Sequence, residues 1–210
     1  MFKDRFDAGA QLAEKLVKFK NDPDTLVLAI PSGGVLVGYH VARQLSLPFD
    51  VVLSKKIGYP NNPDYTIGGV SLDNVIIDKR SIEISGMMEN YLKAEIIRLR
   101  QDLREEERIY RQGLIPQIIQ NKTIILVDDG ILKGQSLKIT IDLIKKVHPK
   151  KLIVALPCAS KDAIRLIKKN VDEIICLLIP EMFINKSSCY TNLELVDHGQ
   201  VLQMLKTFYV

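Results

Sequence analysis

The stretch Thr123-Ile124-Ile125-Leu126-Val127-Asp128-Asp129-Gly130-Ile131-Leu132-Lys133-Gly134-Gln135-Ser136 decides the reading of this chain. A threonine and four apolar residues, mostly β-branched, predict a short buried strand that ends on two adjacent carboxylates. Gly130 and Gly134 mark a turn, and Ser136 opens the apolar pattern Leu137, Ile141, Leu143, Ile144, Val147, which has helical period. In an open parallel sheet, ligands bind where a strand ends and a helix begins. Free amides of a glycine-containing turn and of a first helical turn favour an anion such as phosphate, and the Ser136 hydroxyl adds a donor. Asp128 and Asp129 cannot face that anion, so they read as acceptors for sugar hydroxyls or for the hydration shell of a metal ion. The ligand class this predicts is a phosphorylated sugar.

The same strand-to-helix grammar recurs on either side. Residues 25–30 form an almost continuous apolar run, as expected of a strand buried on both faces. Pro31-Ser32-Gly33-Gly34 follows, then the helical pattern Val37, Val41, Ala42, Leu45; this junction is either a second anion site or only a tight turn. No G-x-G-x-x-G follows the strand, which counts against a dinucleotide fold. Residues 50–54 predict a further strand that delivers Lys55 and Lys56 into residues 57–63, a segment rich in turn formers and read as a loop. The two lysines suit a leaving diphosphate, or form a solvated pair. Residues 151–156 and 173–178 are two more apolar strands separated by a helix over 161–169. Together these predict a doubly wound α/β fold with a mainly parallel five-stranded sheet.

The remaining segments read as a small hood around that sheet, all within one domain spanning 1–210. Residues 4–19 predict an amphipathic helix with Phe6, Leu12, Ala13, Leu16, Val17 and Phe19 on its apolar face. Residues 67–77 predict a small β excursion with turn points at Gly68, Gly69 and Asn74. Residues 83–112 predict a long charged helix with a narrow stripe at Met88, Leu92, Ile96, Leu99, Leu103 and Tyr110, a docking face that would also suit a homodimer. Its Arg100, Arg104 and Arg108 are a solvated row or a ligand contact. Residues 179–210 are a variable cover, in which Phe183 and Tyr190 either stack on a ligand or close the core.

Composition narrows the function classes without choosing one. The 210 residues carry a formal charge of +4, too small an excess to imply nucleic acid, and 47% hydrophobic content, enough for a well-buried core. Cys158, Cys176 and Cys189 show no C-x-x-C spacing, and His40, His148 and His198 show no metal spacing, so no direct protein ligation of a metal is expected. No apolar run reaches the roughly 18 residues of a membrane span, and the N-terminus lacks signal-peptide form; a cytoplasmic protein is the expectation.

At Val127-Asp128-Asp129-Gly130 and Lys133-Gly134-Gln135-Ser136 the chain resembles the type I phosphoribosyltransferases. Pro31-Ser32-Gly33-Gly34, Lys55-Lys56-Ile57-Gly58 and residues 62–69 are similar to one subgroup of that family. The resemblance implies magnesium-dependent binding of 5-phosphoribosyl 1-diphosphate and transfer of its ribose phosphate to a nitrogen acceptor such as a nucleobase. It assigns Asp128 and Asp129 to the ribose hydroxyls, residues 130 and 133–136 to the 5-phosphate, and Ser32, Gly33, Gly34, Lys55 and Lys56 to the diphosphate. Asp128, Asp129 and Lys56 would be the catalytic residues. Three departures stand out: Lys133 replaces a threonine, Leu132 stands where the 6-oxopurine branch has an acid, and Ser32 replaces the subgroup's arginine. The alternative on the same fold is a non-catalytic protein that senses the sugar diphosphate or a nucleotide.

Overall fold

Two runs of β-branched and aliphatic residues, β1 (Thr25–Ala29) and β6 (Thr123–Val127), lie side by side in parallel with every residue buried. A computed structural model describes residues 1–78 and 86–209. Its principal sheet has the order β2-β1-β6-β7-β8, all parallel, with β2 (Phe49–Val51), β7 (Lys151–Cys158) and β8 (Glu173–Leu178) completing the five strands. From β1 the chain passes through α2 (Gly33–Leu45) to β2 on one side, and from β6 through α4 (Gln135–Lys145) to β7 on the other. The connections therefore diverge between β1 and β6, and the crevice that such a switch point leaves opens at the carboxyl ends of these strands.

Side-chain alternation divides the core into two layers. Val27, Ala29, Ile125, Val127, Ile153 and Ala155 face Leu12 and Leu16 of the N-terminal segment and Val37 and Val41 of α2. Leu26, Leu28, Ile124, Leu126, Leu152 and Val154 face Leu137, Ile141 and Ile144 of α4 and Ile167 of α5 (Lys161–Ile167). The first helix, α1 (Arg5–Lys15), is capped by the Asp4 side chain, which accepts from Asp7 N at 2.9 Å. It ends earlier than its periodicity predicts: Phe6 and Val17 are exposed, and a 3-10 turn carries Val17–Phe19.

The hood corrects one expectation. Residues 57–63 are not a loop; β3 (Lys55–Tyr59) and β4 (Asn62–Val70) form an antiparallel hairpin, joined by β5 (Val75–Ile77) into a three-stranded sheet. The turn formers are absorbed by irregular register at Ile57–Gly58 and Gly58–Tyr59, and Pro63 lies in the exposed outer half of β4, where a missing N–H is tolerated. Gly68 and Gly69 also lie within β4 rather than at turns. A Cβ on Gly69 would stand 1.9 Å from Ile139 Cγ2, so the glycine lets the hood lie directly on α4.

The long helix α3 (Gly86–Arg111) packs on the hood and on α6 (His198–Lys206); the predicted start at 83 lies outside the described residues. Tyr110 and His198 join these helices through a 2.6 Å contact between the Tyr110 hydroxyl and Nδ1. Buried Asp50 accepts from Arg111 Nη1 at 2.5 Å and Gln117 N at 2.8 Å, tying the segment after α3 to the sheet edge. Among the described residues no helix is long and apolar enough to cross a membrane. Gly69→Ala is expected to cost about 1–3 kcal/mol in denaturant unfolding, because the stiff, β-branched Ile139 cannot withdraw without moving the helix.

Candidate active site

The register of β1 against β6 pairs Ala29 with Val127, and Ile30 N donates to Val127 O at 3.0 Å, so the two strands release their loops at the same level. The loops are in contact. A Cβ built on Gly34 would stand 2.9 Å from Asp128 Cα, and one on Gly33 would stand 2.0 Å from Asp129 Oδ2. Pro31–Gly34 and Asp128–Gly130 therefore form one floor, although 94 positions separate Gly34 from Asp128.

The two acids on this floor have different environments. Asp128 faces a cavity of about 240 Å³ whose wall includes Gly130, Lys133, Gly134, Gln135, Ser136 and Lys56. Leu132, Asp64, Thr66 and Lys186 also contribute. Gly134 holds φ +78°, a left-handed conformation that glycine adopts without strain, and from it α4 rises with Gln135 and Ser136 exposed toward the cavity. The hydroxyl and amides of this turn sit where an anion is stabilised. Lys56 lines the same cavity, 3.6 Å from the exposed Asp64.

Asp129 is only 3% exposed and lines no part of that cavity. Its Oδ2 accepts from Arg5 Nε at 3.0 Å and Nη2 at 2.8 Å, and its Oδ1 accepts from Lys186 Nζ. Lys186 Nζ also lies 3.7 Å from Asp128 Oδ1. The Asp129 carbonyl accepts from the buried Tyr190 hydroxyl at 2.6 Å. Tyr190 thus closes the core of the cover, its ring 5.6 Å from that of Phe2, rather than presenting a face to the cavity.

Charge follows this geometry. Burial pushes the Asp128 carboxyl up to about 7, helped by the charge of Asp129 and opposed by Lys186. Burial also acts to raise Asp129, but Lys186 and Arg5 outweigh it and hold this acid below the ordinary carboxylate value. Burial works against the Lys186 ammonium, and the two aspartates overcome it, so its pKa lies above the usual lysine value. The pair is thus split into one acid fixed in its charged form and one that titrates near neutrality.

The other residues singled out from the sequence disperse. Lys55 turns from the cavity to Glu106, at 2.6 Å. Ser32 is exposed at the start of α2, and with Gly33 and Gly34 it lies beside the acids, outside the Asp128 cavity. Arg100 donates toward the carbonyls of Ser71 and Asp73, Arg108 pairs with Glu105, and none of the three row arginines lines the cavity. His40 packs edge-on against Phe6 at 4.3 Å. Arg5 and Lys186 carried no sequence signal: Arg5 is one charge among several at the start of the chain, Lys186 is an isolated lysine in an irregular segment, and only folding brings them to Asp129.

Residues 2–190 match the phosphoribosyl transferase domain family, and the chain belongs to it. Among individual proteins, it is similar to TT1426 from Thermus thermophilus, with 31% identity and a TM-score of 0.89 over 100% of this chain and 99% of that one. It is also 27% identical over 207 residues to a Mycobacterium tuberculosis protein named "Putative phosphoribosyl transferase", covering 98% of this chain. The chain spans about half the length of that relative, 46%. The APRTase of Giardia lamblia, solved with 9-deazaadenine, shares the fold at 13% identity and a TM-score of 0.50, over 84% of this chain and 81% of that one.

The split between the acids gives opposite outcomes for two substitutions. Asp129→Asn leaves Arg5 without its counter-charge and Lys186 with Asp128 alone, and is expected to cost about 3 kcal/mol in denaturant unfolding at neutral pH. Asp128 has a folded pKa raised above 3.8, so its charge opposes folding above that raised value, and the penalty fades as pH falls to the ordinary carboxylate range. Asp128→Asn is therefore expected to stabilise the protein more at about pH 8 than at about pH 4.

Proposed function

We propose that this chain binds 5-phosphoribosyl 1-diphosphate with magnesium and transfers the ribose phosphate to a nitrogen acceptor such as a nucleobase, with release of diphosphate. The observation that carries this reading is that one cavity is lined by Asp128, the Lys133–Ser136 turn and Lys56 together. A sugar phosphate fits that arrangement: hydroxyl donors meet the carboxylate, and the phosphate meets turn amides, the Ser136 hydroxyl and the Lys133 ammonium.

In the reaction, the bond between ribose C1 and the diphosphate oxygen breaks, the electron pair leaves on that oxygen, and C1 acquires oxocarbenium character. The acceptor nitrogen donates its lone pair to C1 and then loses its proton. The protein contributes position and charge rather than a covalent intermediate. Asp128 orients the sugar, the α4 turn fixes the 5-phosphate, and Lys56 offsets charge on the departing diphosphate. Magnesium, when bound, neutralises phosphate charge. The hard oxygen donors of Asp128 and Asp64 on the cavity wall suit an ion that arrives with the phosphates and keeps part of its water shell. Asp64 and Thr66 place the β3–β4 hairpin at the same cavity, where it can exclude water that would hydrolyse the sugar diphosphate.

Calorimetric titration with 5-phosphoribosyl 1-diphosphate and magnesium tests the reading. Saturable binding is expected, weakened about tenfold or more in Asp128→Asn, in line with the loss of hydrogen bonds to a charged group. Diphosphate release with one member of a panel of purines, pyrimidines and other nitrogen acceptors would establish transfer. Binding without release across the panel would instead identify a sensor of the sugar diphosphate. A folded protein that binds nothing would end both readings.

A further inference from the structure

We propose that Arg5, on the first helix, is the cation of the diphosphate loop. This rests on the transferase reading above. Within the loop itself, Pro31-Ser32-Gly33-Gly34 has no charged side chain. The fold brings one from elsewhere: a Cβ built on Gly33 would stand 2.7 Å from both Nε and Nη2 of Arg5, so the guanidinium lies against this loop.

The guanidinium is held in a set orientation. Nε and Nη2 both donate to Asp129 Oδ2, and Nη1 donates to the carbonyl of Glu194 at 2.5 Å. An arginine has five N–H donors. Three are engaged here, and one on each Nη has no further protein partner among the described residues. Arg5 therefore keeps two N–H groups for an anion without releasing Asp129, and its planar fork is already held in place beside the loop. Charge supports the same role. Asp129 engages the Nε and Nη2 side of Arg5, while Lys186 is shared between Asp129 and Asp128, so Arg5 is the cation of this cluster that lies against the loop. On its outer edge Arg5 borders a cavity of about 170 Å³ with Phe6 and Leu36. Asp4 and Glu194 line the same cavity, their carboxylates engaged by Asp7 N and Asn192 Nδ2. In this arrangement Asp129 is a positioning residue that holds Arg5, and Asp128 alone meets the sugar.

The test compares 5-phosphoribosyl 1-diphosphate with magnesium against ribose 5-phosphate, which lacks the diphosphate, on the parent and on Arg5→Met. Affinity for the sugar diphosphate is expected to fall about tenfold or more, while affinity for ribose 5-phosphate stays within about twofold. Ser32→Arg added to Arg5→Met is expected to recover most of the loss, by returning a guanidinium to the loop from within it. If Arg5→Met does not fold, Arg5→Lys keeps the charge without the fork and should show a smaller loss, confined to the sugar diphosphate. Equal losses for both ligands, or no loss for the sugar diphosphate, would overturn the role of Arg5 while leaving the transferase reading in place. A folded parent that does not bind the sugar diphosphate would overturn both.

Discussion

The carboxylate of Asp129 and its two cations hold three distant parts of the chain in one place. Arg5 comes from α1, Lys186 from the cover, and Asp129 from the end of β6, where burial makes an unpaired charge costly. With both cations in place the acid is stable in its charged form, and the Tyr190 hydroxyl fastens the same residue through its carbonyl. The start of the chain and the cover thus converge on the residue that follows the central strand. Further from the floor, the bridge between Phe2 and Tyr190 extends this closure into a small core that also contains Cys158 and Cys189.

Position on the sheet explains why the two acids have different surroundings. The pleat sends successive side chains to opposite sides, and beyond Val127 this alternation leaves one carboxylate toward α4 and the next toward α1 and the cover. Asp128 lies in the crevice made by the divergence of the β1 and β6 connections, the location where a parallel sheet offers loop amides and helix starts to a ligand. Its carboxyl is destabilised by burial and by its neighbour, so it is poised to gain from any donor or cation that enters the cavity.

The hood sets the width of that crevice. Gly69 lets β4 lie against Ile139 of α4, and the hairpin then carries Lys56, Asp64 and Thr66 to the cavity while Lys55, one residue earlier, reaches Glu106 on α3. The alternation of a strand, rather than the freedom of a loop, decides which of the two lysines lines the cavity. Arg100 and Arg108 stabilise α3 and its contact with the turn after β4, away from the cavity.

Local pattern was sufficient for much of this molecule, because the signals concerned are short-range. Continuous apolar runs identified β1, β6, β7 and β8, and glycine turns followed by helical periodicity identified the Asp128–Ser136 strand-to-helix junction, which lines the cavity. The resemblance carried by the same residues agrees with the family to which the chain belongs. The hairpin over Lys55–Val70 was not legible, since its strands are held by cross-strand pairing and by packing on α4 rather than by their own propensities. Nor were Arg5 and Lys186 legible as site residues: an ion pair across 124 positions, in one case, leaves no periodic trace. The sequence by itself determined the parallel sheet and which loop would line the crevice at the end of its central strand. Only the tertiary structure decided which of two adjacent aspartates faces the cavity and which is buried against its cations, because burial and charge pairing are properties of position in space, not of order along the chain.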